Sequence, residues 1–179
     1  MSHNPHLKET QRLEKTFKEY MSENKSKFDQ IDNYNKEIEA DLDQIRDKIY
    51  ENIRRNCKVQ FEWLEKHGTI RISDQGMQVH VNENPDGISA DAILGELDVC
   101  ASKNDLGLKD FFDRTNLKKA QIMDNNKSCI NKCTFRSEEK TEKEIKNCVQ
   151  SCFGQSFNST DKLLIDIREK LKDVKGNLH

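Results

Sequence analysis

Proline and glycine are scarce, with two and seven among 179 residues. Neither occurs between Leu7 and Lys66, so nothing there breaks a helix, and one long helix or two in close succession is expected. About sixty helical residues would reach ~90 Å. Long hydrophobic runs are missing as well: no stretch approaches eighteen consecutive apolar residues, which leaves no candidate for a membrane-crossing helix. Hydrophobic residues make up 34% of the chain and the mean hydropathy is −0.95, too little for a thick core and suited to long solvated helices. An excess of one charge is also lacking. Thirty Lys and Arg nearly cancel 32 Asp and Glu, so bulk electrostatics does not call for nucleic acid. The first residues show no apolar core of a secretion signal, and Glu9, Glu14 and Glu19 do not suit a cleavable matrix presequence.

Signs of catalysis are missing too. The five histidines (His3, His6, His67, His80, His179) are scattered, and there is no phosphate loop, no Gly-x-Ser-x-Gly and no C-x-x-C pair. The chain is expected to be no enzyme, and nothing in it asks for a cofactor or a metal.

Against these absences stand six cysteines, four of them in a symmetric arrangement: Cys129-Ile-Asn-Lys-Cys133, fourteen residues, then Cys148-Val-Gln-Ser-Cys152. Cysteines at i and i+4 share one helix face about 6 Å apart along the axis. If both segments are helical and antiparallel, Cys133 faces Cys148 and Cys129 faces Cys152. The residues between support a second helix start, because Thr141-Glu-Lys-Glu144 has the form of a capping box. From there Ile145, Val149, Phe153, Phe157, Leu164, Ile167, Leu171 and Val174 recur mostly every three or four residues, as one buried stripe does. Leu108, Phe112, Ile122, Cys129 and Cys133 supply the matching face of a preceding helix that begins near Leu106. Four thiolates could instead hold zinc, although zinc knuckles favour C-x2-C. Unpaired buried thiols are the remaining alternative.

The fold class read from these patterns is mainly α: a disulfide-stapled antiparallel helical hairpin preceded by a long N-terminal helix and a small β-hairpin. Three segments follow. Residues 1–67 form a long amphipathic, coiled-coil-like helix whose docking stripe is Phe28, Ile31, Ile38, Leu42, Ile45 and Ile49, either paired with another chain or folded back on the hairpin. Cys57 lies on its apolar face and reads as a small core residue ahead of a ligand or a third bridge to Cys100. Residues 68–104 change period. Gly68 ends the helix, Ile70 and Ile72 with Met77, Val79 and Val81 alternate around Ser73-Asp-Gln-Gly76 as a β-hairpin, and Asn84-Pro-Asp-Gly87 is a turn. Ser89 caps a short helix reaching about Ala101. Residues 105–179 are the cysteine hairpin.

Two C-x3-C motifs fourteen residues apart, helices on each side and Phe153 directly after the last cysteine resemble the small Tim family, import chaperones of the mitochondrial intermembrane space. The likeness covers about residues 106–175. It implies disulfides Cys129–Cys152 and Cys133–Cys148, a hetero-oligomeric ring with other small-Tim-like subunits, and a location in the intermembrane space peripheral to the inner membrane. It also implies an apolar surface, here Phe111, Phe112, Ile122, Phe157 and Leu164, that holds hydrophobic precursors. The long N-terminal part departs from the family's short arm and favours a structural, accessory subunit of a large inner-membrane assembly, such as a respiratory complex. The chaperone role is the alternative.

Overall fold

The structure, a computed structural model, describes residues 5–73, 76–82, 90–102 and 108–178. The hairpin tip at 74–75, the Asn84–Gly87 turn, the Ser89 cap and Leu106 lie outside the described residues. The chain is mainly helical. The order is α1 (Pro5–Glu23), α2 (Lys25–Asn56), α3 (Lys58–His67), β1 (Gly68–Ser73), β2 (Gly76–Val81), α4 (Ala90–Ser102), α5 (Leu108–Thr134) and α6 (Glu142–Asn177), with a single turn of 3₁₀ helix at Ser137–Glu139 before α6.

The N-terminal helix expected as one or two pieces is three. It is interrupted at Asn24 and Cys57, yet i to i+4 hydrogen bonds continue through both points, from the Phe28 amide to the Asn24 carbonyl and from the Phe61 amide to the Cys57 carbonyl. Asn24 also turns its side-chain amide back to donate to the Tyr20 carbonyl, the local competition with the backbone that disfavours Asn inside helices.

Two compact units divide the chain. The first comprises residues 1–37 and 115–168, the second residues 38–114 and 169–179. Helices α2, α5 and α6 each contribute residues to both units.

In the first unit, Cys133, Ile145, Val149 and Cys152 form the buried centre, with Leu13 of α1 packed against it. Apolar residues of α6 at three- and four-residue steps therefore do the burying, as the helical period requires. The turn into α6 is fixed by two reciprocal bonds. The Glu144 amide donates to the Thr141 hydroxyl (3.2 Å) and the Thr141 amide to the Glu144 carboxylate (3.4 Å), a capping box that satisfies otherwise orphaned donors. At the other end of the connection, the Lys140 ammonium donates to the carbonyls of Lys132 and Cys133, placing a cation on the negative end of α5.

In the second unit, Ile53, Cys57, Phe61, Leu64 and Leu97 form the core. The strands pair antiparallel in the register Ile70↔Val79 and Ile72↔Met77. Ile70, Met77, Val79 and Val81 pack from the sheet onto that core, which gives a two-stranded ribbon, marginal alone, the support it needs. Trp63 packs against the same core with its ring 4.8 Å from that of His67. Ile38 and Ile45 are buried in this unit, as are Leu171 and Val174, and Asp41 accepts from Lys175 at 2.9 Å. Ile38 and Ile45 of the α2 stripe thus lie in this chain's own interior.

Candidate functional site: a disulfide cluster beside an aromatic cavity

Helices α5 and α6 each carry two cysteines one turn apart, and the four are joined in reverse order. Cys129 is bonded to Cys152 (Cα–Cα 5.8 Å) and Cys133 to Cys148 (Cα–Cα 5.6 Å). The connection from Phe135 to Thr141 is short, so the bonds lie close to where the chain reverses. Cys133 and Cys152 are buried, Cys129 is half-buried and Cys148 is exposed. The sulfurs of Cys129, Cys133 and Cys152 all lie within 4.8 Å of one another. Three thiolates so placed could ligate a metal, but every cysteine of the chain is in a disulfide, so these sulfurs carry no thiolate charge for one.

A third bond, Cys57–Cys100 (Cα–Cα 6.0 Å), revises the reading of Cys57. It is a core residue, 1% exposed, and it is also bridged to α4. With a sequence separation of 43 and no shared motif, the sequence offers this bond only as an alternative to a small core residue.

Beside the first cluster, aromatic rings of α1 and α2 meet those of α6. Phe17 contacts Phe153 edge to face at 5.3 Å, Tyr20 lies 5.6 Å from Phe153, and Phe28 reaches Phe157 at 5.8 Å. Tyr20 is buried, and burial raises its phenol above the ordinary value of 10.0. The sequence signal for this cluster is divided: Phe28 falls in the N-terminal stripe and Phe153 and Phe157 in the stripe of α6. Charged pairs frame the contact, Lys146 to Glu19 at 2.7 Å and Arg12 to Glu142 at 2.8 Å. Arg168 pairs with Glu37 at 2.6 Å and lies over the Tyr34 ring.

Of the five residues expected to form an open apolar surface, Ile122, Phe157 and Leu164 lie in the first unit and Phe111 and Phe112 in the second. Leu164 is 5% exposed, Phe157 is engaged by Phe28, and Ile122 is half-buried in the first unit. Phe111 and Phe112 belong to the second unit, stacked on each other at 5.5 Å with the Lys170 ammonium over Phe111. The exposed large apolar side chains of α5 are instead Leu117 and Met123, with Phe135 just beyond its end. Of the N-terminal stripe, Ile38 and Ile45 are buried and Phe28, Ile31, Leu42 and Ile49 half-buried.

No family profile, no curated protein and no solved structure matches this chain. The site therefore defines only a class, a disulfide-bonded, mainly helical protein. No helix among the described residues is long and apolar enough to cross a membrane.

Proposed function

We propose that this chain is a non-enzymatic, small-Tim-like protein of the mitochondrial intermembrane space. In this reading α5 and α6 form the family's antiparallel hairpin, and the chain is an accessory subunit of a large inner-membrane assembly, held there within a ring of similar subunits. The observation that carries the reading is the reversed pairing of two C-x3-C motifs across α5 and α6. Disulfides persist in oxidising compartments, and the intermembrane space is the one that the likeness of the cysteine motifs implies. The accessory role is favoured over precursor shielding because Phe153 and Phe157 are engaged by Phe17 and Phe28 of this chain's own N-terminal helices.

Precursor shielding is the second reading, and Leu117, Met123 and Phe135, each about two-thirds exposed, are the observation in its favour. The test is native-size separation of gently solubilised mitochondria, with thiol alkylation. Migration with a very large inner-membrane complex, all cysteines protected, is the expected result. A small soluble ring would favour shielding. Reactive thiols, or absence from mitochondria, would overturn both readings.

A further inference from the structure

The ladder of the β-ribbon in the second unit fixes which backbone groups its strands use on each other. The Asn82 amide donates to the His67 carbonyl at 2.8 Å, one step beyond the pair Gly68↔Val81. Hydrogen-bonded pairs alternate with unbonded ones in an antiparallel ladder, so Thr69↔His80 and Arg71↔Gln78 exchange bonds. Gly68, Ile70 and Ile72 of β1, and Met77, Val79 and Val81 of β2, then turn their amides and carbonyls away from the paired strand. On β1 the Gly68 amide is taken up by the Leu64 carbonyl. On β2 no described residue takes up the outward groups of Met77, Val79 or Val81.

That edge is also undefended. Sheet edges are commonly blunted by charged side chains, by Pro or by a bulge. Gly76–Val81 holds no Lys, Arg, Asp, Glu or Pro, and its register with β1 runs without a bulge. Its residues instead alternate symmetrically about Val79. Met77, Val79 and Val81 pack on the core, and Gln78 and His80 are exposed on the other face. In both directions from Val79 the strand reads polar, then apolar.

We infer that β2 pairs antiparallel with β2 of a second copy of this chain, about a two-fold axis at Val79. Val79 then faces Val79 of the second copy, Met77 faces Val81, and Gln78 faces His80. The residues whose backbone groups point outward are the ones this register joins, each pair exchanging two bonds. Centring the axis on Gln78 or His80 would leave one of the three outward residues without its match. A slip of one residue would set outward groups against groups already bonded within the other ribbon, and would turn the apolar side of one ribbon away from its core. The product is a four-stranded sheet in the order β1-β2-β2-β1, in place of two ribbons that are each marginal alone. An extended segment of another protein could add to the same edge, but the symmetry about Val79 is what a self-complementary contact requires. The contact does not rest on the functional reading above.

The test follows the full oxidised chain by sedimentation and by amide hydrogen exchange over a range of concentrations. One strand edge is small beside standard interfaces, so dissociation is expected at roughly 10–500 μM, with the mass rising toward twice 20.9 kDa. In the dimer the amides of Met77, Val79 and Val81 should exchange about tenfold more slowly. Those of Gln78 and His80, bonded within each ribbon, should not respond to concentration. Gln78→Lys with His80→Lys sets like charges opposite each other on both sides of the axis and should weaken the dimer about tenfold. Gln78→Glu with His80→Lys sets opposite charges there and should bind at least as tightly as the wild type. Both side chains are exposed, and an unchanged melting temperature at low concentration verifies the fold of each variant. A chain still monomeric at about 1 mM would overturn the inference, and is the result expected if the edge serves a different protein. So would a dimer that both double variants leave unchanged, or one whose formation protects none of the three outward amides.

Discussion

Cys133 and Cys152 belong to different disulfides, yet their sulfurs lie 3.6 Å apart in the buried centre of the first unit. Removing Cys129 alone would free Cys152 as a thiol 3.6 Å from the sulfur of the neighbouring disulfide. Its thiolate can bond to the Cys133 sulfur and expel Cys148 as the leaving thiolate, and Cys148 is the exposed member of the four. Cys129→Ser is therefore expected to yield two species, bridged 133–148 and 133–152, whereas Cys129→Ser with Cys152→Ser yields only the first. Peptide mapping of unreduced digests decides this. A single 133–148 species in the Cys129→Ser chain would mean the short approach offers no exchange path.

The bond between Cys57 and Cys100 closes the longest loop of the three, with a sequence separation of 43. In the chain-entropy account such a loop stabilises by about 3–4 kcal/mol. Cys57→Ala with Cys100→Ala should lower the denaturation midpoint accordingly, read by a probe located in the second unit. An unchanged midpoint would show that α3 and α4 are held by their apolar contacts alone.

The Glu19–Lys146 pair sets limits on the pH range of full stability. Its hydrogen bond to Lys146 lowers Glu19 from the ordinary 4.5, and the same bond raises Lys146 from 10.5. A lowered carboxyl stabilises above its unfolded value and loses that contribution as pH falls through its folded value. The raised lysine contributes below its unfolded value, and the contribution fades as pH rises through the folded one. Tyr20, raised by burial, adds to the alkaline decline. Melting temperatures of the wild type and Glu19→Gln should differ between about pH 5 and 10 and converge in acid. A difference that persists at pH 2 would show that the carboxylate's charge is not the cause.

Gly68 tolerates no side chain. Its φ of −165° is ordinary extended backbone, but a Cβ there would lie 2.2 Å from the His80 carbonyl oxygen on the paired strand. Gly68→Ala should cost about 1–3 kcal/mol, the usual range for overpacking, and should raise amide exchange in β1 and β2 ahead of the rest. Gly95, whose Cβ would meet nothing within 4 Å, is the control: Gly95→Ala in the middle of α4 should be neutral or stabilising.

What could be read from residue order divides along a physical line. Local signals carry their own geometry: the capping box at Thr141 and Glu144 needs only four residues, and the strand register follows from alternation around a short turn. The stripe of α6 was legible because helical period and burial coincide. Contacts that depend on where distant helices meet left no such trace. Nothing local distinguishes a stripe on α2 that serves a partner from one that serves its own chain, and Tyr20 gains its role from Phe153, 133 residues away. The interruption at Cys57 and its bond to Cys100 likewise come from packing of α3 on α4 and not from any breaker residue.

The chain has one tryptophan, and Trp63 packs on the core of the second unit. Its emission is therefore a one-sided witness to unfolding. The buried Tyr20 and its phenylalanine neighbours lie in the first unit, and the optical activity of aromatic transitions adds their signal to that of Tyr50, Phe61 and Trp63 in the second. Should the halves melt separately, the two spectroscopic curves would part; should they melt as one, they would superimpose, and no label need be attached to learn which.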